Sequence, residues 1–186
     1  MRRGPLTVAA ALAAILATSA AYPQARLWLA LNVKAENPER PSIAMLGDSH
    51  FEIVNWKILT GCPNVANFGF HGDRTDQVLA RLPQVIKVRP KLIVVMAGTN
   101  DALQGIEGAI ILRNLRLIEE IAVANGIDVL VLSPPPLDGV SVPAIPEAVP
   151  VPFADSDLGP DHIHLRRTAY EKLQAVVEPF VEKFCN

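Results

Sequence analysis

Short apolar runs separated by helix-like segments dominate the sequence from residue 42 onward. The clearest runs span Ser42–Gly47, Lys91–Ala97 and Asp128–Ser133, and Asn64–Phe68 is a shorter run of the same kind. A strand with apolar side chains on both faces must be covered on both faces, which is typical of a parallel sheet between helices. The pattern therefore predicts an α/β fold with four firm strands.

Helical patterns fill the spaces between these runs. The predicted helices cover residues 50–60, 73–88, 106–125 and 166–183. Pro83 and Pro179 fall inside two of them, and Pro83 predicts a kink or a break. A fifth strand has a single candidate, Val149–Phe153, whose prolines limit strand pairing. We therefore expect that strand to be weak or missing.

The N-terminal segment is typical of a protein that leaves the cytoplasm. Arg2 and Arg3 precede the uncharged stretch Gly4–Ala25, and Ser19-Ala20-Ala21 offers small residues for cleavage. Residues 1–25 therefore form either a cleaved signal peptide or a membrane anchor. Both alternatives predict an exported protein that is periplasmic, secreted or anchored to the outer face of the cytoplasmic membrane.

The remaining chain is predicted to be a lead-in segment, residues 26–41, followed by one domain, residues 42–186. The apolar run Leu27–Leu31 of the lead-in could pack on the domain or prolong the membrane segment. The whole sequence has 186 residues, a net charge of −2 and 5% aromatic residues. A net charge of −2 does not favour binding to the phosphates of nucleic acid, and few aromatic side chains are available to stack on bases. We expect a monomer that has no nucleic-acid partner.

Residues suited to acyl transfer follow the predicted strands. Ser49 follows the first strand, Gly69 and Gly72 the second, and Asn100 the third. The carboxyl ends of parallel strands meet at one edge of a sheet, where ligands bind. Ser49 is a candidate nucleophile, with an ordinary helix N-cap as the alternative. The Asn100 amide and the backbone N–H groups of Gly72 and Ser49 are candidate oxyanion donors.

An Asp-x-x-His sequence near the C-terminus supplies a candidate base. Asp161 can orient the His164 imidazole and leave its other nitrogen for a serine proton. Alternatively, Asp161 caps the last helix and His164 is a surface residue. His162 competes for the role of base or lies at the rim of the site. A His-x-His metal site is disfavoured because no third ligand is evident.

Taken together, these segments resemble the SGNH (GDSL-type) hydrolase family. The resemblance covers about residues 42–182 and rests on four motifs. They read Gly47-Asp48-Ser49, Asn67-Phe68-Gly69-Phe70-His71-Gly72-Asp73-Arg74-Thr75, Gly98-Thr99-Asn100-Asp101 and Asp161-His162-Ile163-His164-Leu165. It implies a flavodoxin-like three-layer α/β/α sandwich with strand order 2-1-3-4-5, and no metal or cofactor.

The resemblance also implies roles for individual residues. Ser49, Asp161 and His164 would form a catalytic triad, and Ser49, Gly72 and Asn100 the oxyanion hole. Asp48 would be structural, and we assign the neighbouring His71 and His162 to substrate binding. His50 stands where the family often has leucine, and we expect this difference to leave the chemistry unaffected.

A disulfide follows from the same resemblance. In this fold the first and last helices lie on one face of the sheet and end opposite the active site. Cys62 follows the first of these helices and Cys185 ends the last, so we expect them to be bonded. An oxidising compartment would permit that bond.

The sequence thus predicts an exported serine esterase. Its substrate would be a small acyl ester, such as an acetylated glycan, a short-chain ester or a lysophospholipid. The proline-rich loop from Pro134 to Pro160 is expected to form one wall of the site, with its Val, Ile and Phe side chains against the acyl group, or else to be a stiff covering. Two alternatives stay open at this point. One is an acyltransferase that moves an O-acetyl group to a glycan with the same triad, and the other is a non-catalytic envelope binding module.

Overall fold

The computed structural model describes residues 23–140 and 142–185. Within these residues a single sheet of four parallel strands has the order β2-β1-β3-β4. The strands are β1 Ile43–Gly47, β2 Val65–Gly69, β3 Leu92–Met96 and β4 Asp128–Val131. The predicted α/β fold and the order of these strands are confirmed.

Helices cover both faces of the sheet. They are α1 Pro23–Asn32, α2 Ser49–Glu52, α3 Trp56–Thr60, α4 Thr75–Lys87, α5 Thr99–Leu103, α6 Gly108–Ala124 and α7 Arg167–Phe184, with a 3-10 turn at Asp155–Asp157. α1, α2, α3 and α7 contribute to the core on one face, whereas α4 and α6 form the core on the other. The predicted three-layer sandwich is therefore confirmed.

The alternation of side chains along the strands divides the core in two. Ile43 and Met45 of β1 point into the core beneath α3 and α7, while Ala44 and Leu46 point toward α4 and α6. All five residues of β1 are buried, as are those of β3. Central strands with two buried faces explain why the sequence runs are apolar without interruption.

Two predicted helices differ from the structure in their details. The helix predicted over residues 50–60 is divided into α2 and α3, because Asn55 caps α3 by accepting a hydrogen bond from Ile58 N at 3.2 Å. Pro83 does not break α4, which continues from Thr75 to Lys87. Pro83 lies on the exposed side of α4, where water can take the place of the missing N–H donor.

The candidate fifth strand is reduced to one bridge. Val149 pairs with Leu132 in parallel, and Val149 N donates to Val131 O at 2.8 Å. Pro150 and Pro152 have no N–H groups to extend the ladder. The expected weakness of this strand is confirmed.

Part of the long loop after β4 packs into the core. Leu137, Val151 and Leu158 are buried, and Phe153 packs against the core cluster. Val140, Val142 and Ile145 of the same loop are half-buried. That the loop forms a wall of the site and contacts substrate stays a prediction.

The lead-in segment packs against the domain. Leu27 and Ala30 of α1 are buried, and Asn55 N donates to Ala30 O at 2.7 Å. Farther along, the Asn37 side chain accepts from Asn67 N at 2.7 Å and donates to Asn67 O at 2.8 Å. This pair of hydrogen bonds protects the open edge of β2.

The predicted signal peptide or anchor covers residues 1–25. Its residues 1–22 lie outside the described part of the chain, and its last three residues begin α1. From residue 23 onward, the described helices are all too short or too polar to cross a bilayer.

A disulfide joins Cys62 to Cys185, with a Cα–Cα distance of 5.6 Å and a sequence separation of 123. Cys62 lies between α3 and the start of β2, and Cys185 follows α7. The bond therefore lies toward the amino ends of the strands, away from the turns that carry the candidate site residues.

Replacing both cysteines by serine should lower the free energy of unfolding by about 4–5 kcal/mol, because a closed loop of this length restricts the unfolded chain. Urea unfolding of the variant and of the wild type with and without reductant measures the loss. A loss below about 1 kcal/mol would mean that the disulfide adds little stability.

Candidate active site

The turn after β1 carries the candidate nucleophile. Ser49 is the first residue of α2 and is 5% exposed. Asp48 caps this helix, since its Oδ1 accepts from His50 N at 3.0 Å. Gly47 ends the strand where a Cβ would lie 2.5 Å from Met96 O. Only glycine fits there, so β1 and β3 can lie close together beside the nucleophile.

The turn after β2 is held against the first turn. Phe70 N donates to Gly47 O at 3.1 Å. A Cβ on Gly69 would lie 2.4 Å from Glu52 N, so glycine allows β2 to end directly against α2. Gly72 has a φ of 76°, a conformation that glycine adopts without strain. The bond from Phe70 N therefore holds the turn that contains Gly72 against the end of β1, two residues before Ser49.

The turn after β3 brings the candidate amide donor. Asn100 Nδ2 donates to Asp73 O at 2.9 Å and lies 3.5 Å from Asp48 Oδ2. The neighbouring Asp101 is buried, and its carboxylate accepts from Thr75 N at 2.8 Å and from Thr75 Oγ1 at 2.6 Å. Asp101 thus fixes the start of α4. Asn100 contacts Asp48, which precedes Ser49, and Asp73, which follows Gly72.

The Asp-x-x-His segment forms a compact loop. Asp161 Oδ2 accepts from His164 Nδ1 at 2.6 Å, and Asp161 Oδ1 accepts from the backbone N–H groups of Ile163 and His164 at 3.1 and 3.0 Å. The His164 ring, followed by these two N–H groups, holds the pKa of Asp161 well below its usual range. Asp161 is therefore ionised and able to orient the imidazole.

The two remaining histidines of the prediction lie at the edge of the site. The His71 ring is nearly parallel to that of His164, with an interplanar angle of 8° and centroids 6.1 Å apart. His162 is exposed and has a φ of 55°, so its backbone bends the loop. The structure thus brings His71 to the His164 ring, whereas His162 shapes the loop through its backbone.

Two backbone donors in the turns after β1 and β2 have no hydrogen-bond acceptor among the described residues. In residues 23–140 and 142–185, neither Ser49 N nor Gly72 N donates to a protein acceptor. Buried or half-buried N–H groups normally find an acceptor. With the Asn100 side chain beside them, these two N–H groups are available to a ligand oxygen. The same part of the chain contains no group of three side chains suited to hold a metal ion.

A model of the GDSL-like lipase/acylhydrolase family matches residues 55–178, which is more than half of the chain. The chain belongs to this family. It is 32% identical to platelet-activating factor acetylhydrolase IB subunit alpha1 of Rattus norvegicus over 83 residues, which is 40% of this chain and 36% of that protein. The chain therefore matches little more than a third of the length of this relative.

Solved structures support the same GDSL-like fold. A GDSL-like lipase from Bacteroides thetaiotaomicron superposes with a TM-score of 0.64 at 20% identity, covering 90% of this chain and 98% of the other. A lipase/acylhydrolase from Enterococcus faecalis superposes with a TM-score of 0.60 at 22% identity, covering 77% and 96%. At these identities the likeness concerns the fold.

Sequence reasoning missed one residue of the GDSL-like site. His50 is buried, with its Nδ1 3.0 Å from Asp48 Oδ1 and its Nε2 3.0 Å from Ile163 O. It therefore connects the nucleophile turn with the loop of His164. The signal available in the sequence was a histidine directly after Gly-Asp-Ser, at a position where the family often has leucine.

His50 is also electrostatically distinct. Burial alone would lower the pKa of His50, but the hydrogen bond from its ring to Asp48, the Asp48 charge and the Ile163 carbonyl together raise the pKa above its ordinary value of 6.5. The folded protein consequently binds this proton more tightly than the unfolded chain does.

This proton affinity predicts how stability depends on pH. The contribution of His50 is fully present below about pH 6.5 and is lost as the pH rises through the folded-state pKa. The excess unfolding free energy of the wild type over His50→Gln should therefore fall above about pH 6.5, by at most about 1.4 kcal/mol per pH unit. Urea unfolding of both proteins from about pH 6 to about pH 9 tests this. An excess that stays constant or grows with pH would contradict it.

Proposed function

We propose that this chain is an exported serine esterase that hydrolyses small acyl esters, with Ser49 as nucleophile, His164 as general base and Asp161 as its orienting carboxylate. The observation that carries the proposal is the 2.6 Å hydrogen bond from His164 Nδ1 to Asp161. It fixes the tautomer in which Nε2 has a free lone pair for the Ser49 proton. Membership in an acylhydrolase family supports the same reaction class.

The first half of the reaction forms an acyl-enzyme. Ser49 Oγ attacks the ester carbonyl carbon as His164 Nε2 accepts the hydroxyl proton. The carbonyl oxygen gains negative charge and accepts hydrogen bonds from Ser49 N, Gly72 N and Asn100 Nδ2. Asn100 uses for this the N–H that otherwise makes the long 3.5 Å contact with Asp48 Oδ2. The carbon–oxygen bond to the alcohol then breaks, and His164 returns the proton to the leaving alcohol oxygen. The ionised Asp161 stabilises the imidazolium between these two steps.

The second half releases the acid. His164 accepts a proton from water, the water oxygen attacks the acyl carbon, and the same three donors stabilise the second oxyanion. The bond to Ser49 Oγ breaks and His164 returns the proton to that oxygen. No metal or cofactor takes part in these steps.

An acetyl ester is the substrate class that we favour. The rat relative is by name an acetylhydrolase. Its sequence identity to this chain, 32% over 83 residues, is higher than the 20% and 22% of the two solved structures described above. The acetyl group would be carried by a cell-envelope glycan or a lipid alcohol. The His71 ring beside His164 would contact the ester, and the half-exposed His164 leaves room for a large alcohol.

We also propose export. The basic and apolar N-terminal segment supports it, and the Cys62–Cys185 disulfide is typical of proteins outside the cytoplasm. The enzyme would act as a monomer, either released after cleavage or held at the membrane by residues 1–25.

Ser49→Ala should reduce hydrolysis of p-nitrophenyl acetate by about 10³-fold or more, because the nucleophile is lost. Asn100→Ala should reduce kcat by about 10²–10³-fold, because one oxyanion donor is removed. Steady-state kinetics over acyl chains from acetyl to decanoyl measure both effects and the acyl preference. Ser156→Ala is the matched control, because Ser156 is exposed and has no proposed role in the reaction. This variant should keep wild-type activity.

A folded wild type without activity on any of these esters would contradict the proposal. Product formation that requires an added alcohol or glycan would instead indicate acyl transfer through the same residues.

The export proposal predicts that the mature protein is found outside the cytoplasm. Cell fractionation followed by N-terminal sequencing tests this. A start near residues 20–26 would indicate cleavage, and an intact N-terminus in the membrane fraction would indicate an anchor. Recovery of the full chain in the cytoplasm, with both cysteines reduced, would contradict export.

A further inference from the structure

The proposed nucleophile and the proposed base come from parts of the chain that are far apart in sequence. We propose that His50 is a positioning residue that holds the loop of residues 159–164 against the nucleophile turn, so that His164 stays within reach of Ser49. This inference rests on the proposed function and adds a residue to it. The contact that supports it, from His50 Nε2 to Ile163 O, joins positions 113 residues apart.

The chemistry of the two partners defines how the His50 ring is protonated. A carbonyl oxygen can only accept, so Nε2 donates a proton to Ile163 O. Nδ1 lies 3.0 Å from Asp48 Oδ1, which already accepts from His50 N. Nε2 therefore carries the ring proton that Ile163 O accepts, and the Nδ1 contact joins the same ring to Asp48. The ring is 1% exposed, which removes water as a competing partner.

The other hydrogen bonds of the loop do not reach the nucleophile turn. Gly159 N donates to His164 O at 2.7 Å, and Asp161 binds Ile163 and His164 of the same loop. In the part of the chain that the structure describes, the His50–Ile163 bond is the hydrogen bond that connects residues 159–164 to the nucleophile turn. Removing it leaves the internal shape of the loop intact but frees its position.

The nucleophile turn, the loop of residues 159–164 and α7 each contribute a polar or ionisable group near His50. Asp48 lies on the same turn, and the loop contributes Asp161 and the His164 ring, whose centroid is 6.0 Å from that of His50. Tyr170 of α7 donates from its hydroxyl to His50 O at 3.1 Å. Tyr170 therefore holds the His50 backbone, whereas the ring holds the loop. The two functions can be separated by mutation.

The test compares four variants with the wild type in p-nitrophenyl acetate hydrolysis. His50→Leu removes both ring contacts. His50→Gln puts an amide N–H near the position of Nε2 and can still donate to Ile163 O. His50→Asn puts one near Nδ1 and can reach only Asp48. Tyr170→Phe removes a hydrogen bond to the His50 backbone and leaves the ring in place.

A general base displaced by about 1 Å loses about 10²-fold in rate. We therefore expect kcat per folded active site to fall about 30- to 100-fold in His50→Leu and His50→Asn, with KM changed less than about threefold. His50→Gln should keep kcat within about fivefold of the wild type. Tyr170→Phe should lower Tm while keeping kcat within about twofold.

Amide hydrogen exchange of residues 159–164 gives a readout that does not depend on activity. Exchange should be faster in His50→Leu and His50→Asn than in the wild type and His50→Gln. Equal kcat values for His50→Gln and His50→Asn, or a loss in Tyr170→Phe as large as in His50→Leu, would overturn the proposal. If the folded wild type hydrolyses no ester, the proposed function fails. In that case the exchange data by themselves decide whether His50 holds the loop. If His50→Leu does not fold, His50→Gln is compared with His50→Asn instead.

Discussion

The buried carboxylate of Asp48 is the constraint around which the site is organised. It is 1% exposed, and a buried polar group must be hydrogen-bonded to be tolerated. Its partners are the His50 backbone, the His50 ring and, at 3.5 Å, the Asn100 amide. The first comes from the nucleophile turn and the last from the turn after β3, while the His50 ring continues to the loop of His164. Hydrogen-bonding one buried side chain thus brings together the segments on which the proposed reaction depends.

The parallel sheet makes this convergence possible. Its strands all end at one edge, so residues that are distant in sequence follow neighbouring strands there. Gly47 and Gly69 let the backbones of that edge approach one another more closely than any side chain would allow. The opposite edge carries the Cys62–Cys185 disulfide, which restrains the chain without touching the site. Stabilisation and chemistry are therefore separated at the two ends of the strands.

Much of this arrangement could be predicted from the sequence, because buried strands leave a clear apolar pattern. The bounds of β1 and β3 follow from that pattern, whereas the strand order came from the resemblance to a known family. The division between α2 and α3 was missed because the N-cap Asn55 lies inside an otherwise helical stretch. Which apolar residues of the long loop join the core could not be predicted, because a core contact and a substrate contact require the same side chains.

His50 shows a different limit of prediction. A histidine at position 50 does not by itself predict a buried side chain. Its partner could not be predicted either, since Ile163 O is a backbone atom 113 residues away. Only the folded chain reveals that a position often occupied by leucine here carries two directed hydrogen bonds. The lead-in was ambiguous for a related reason, because Leu27 and Ala30 could have faced either a membrane or the domain, and the structure buries them against the domain.

If Ser49, Gly72, Asn100 and His164 form one acyl-transfer site, a crystal structure of the enzyme after reaction with an alkyl phosphonate will show it directly. The phosphonate mimics the tetrahedral intermediate. We expect phosphorus bonded to Ser49 Oγ, with one phosphonyl oxygen about 3 Å from Ser49 N, Gly72 N and Asn100 Nδ2, and His164 Nε2 within hydrogen-bond distance of Ser49 Oγ. Phosphorus attached to another residue, or a phosphonyl oxygen directed away from these three donors, would contradict it.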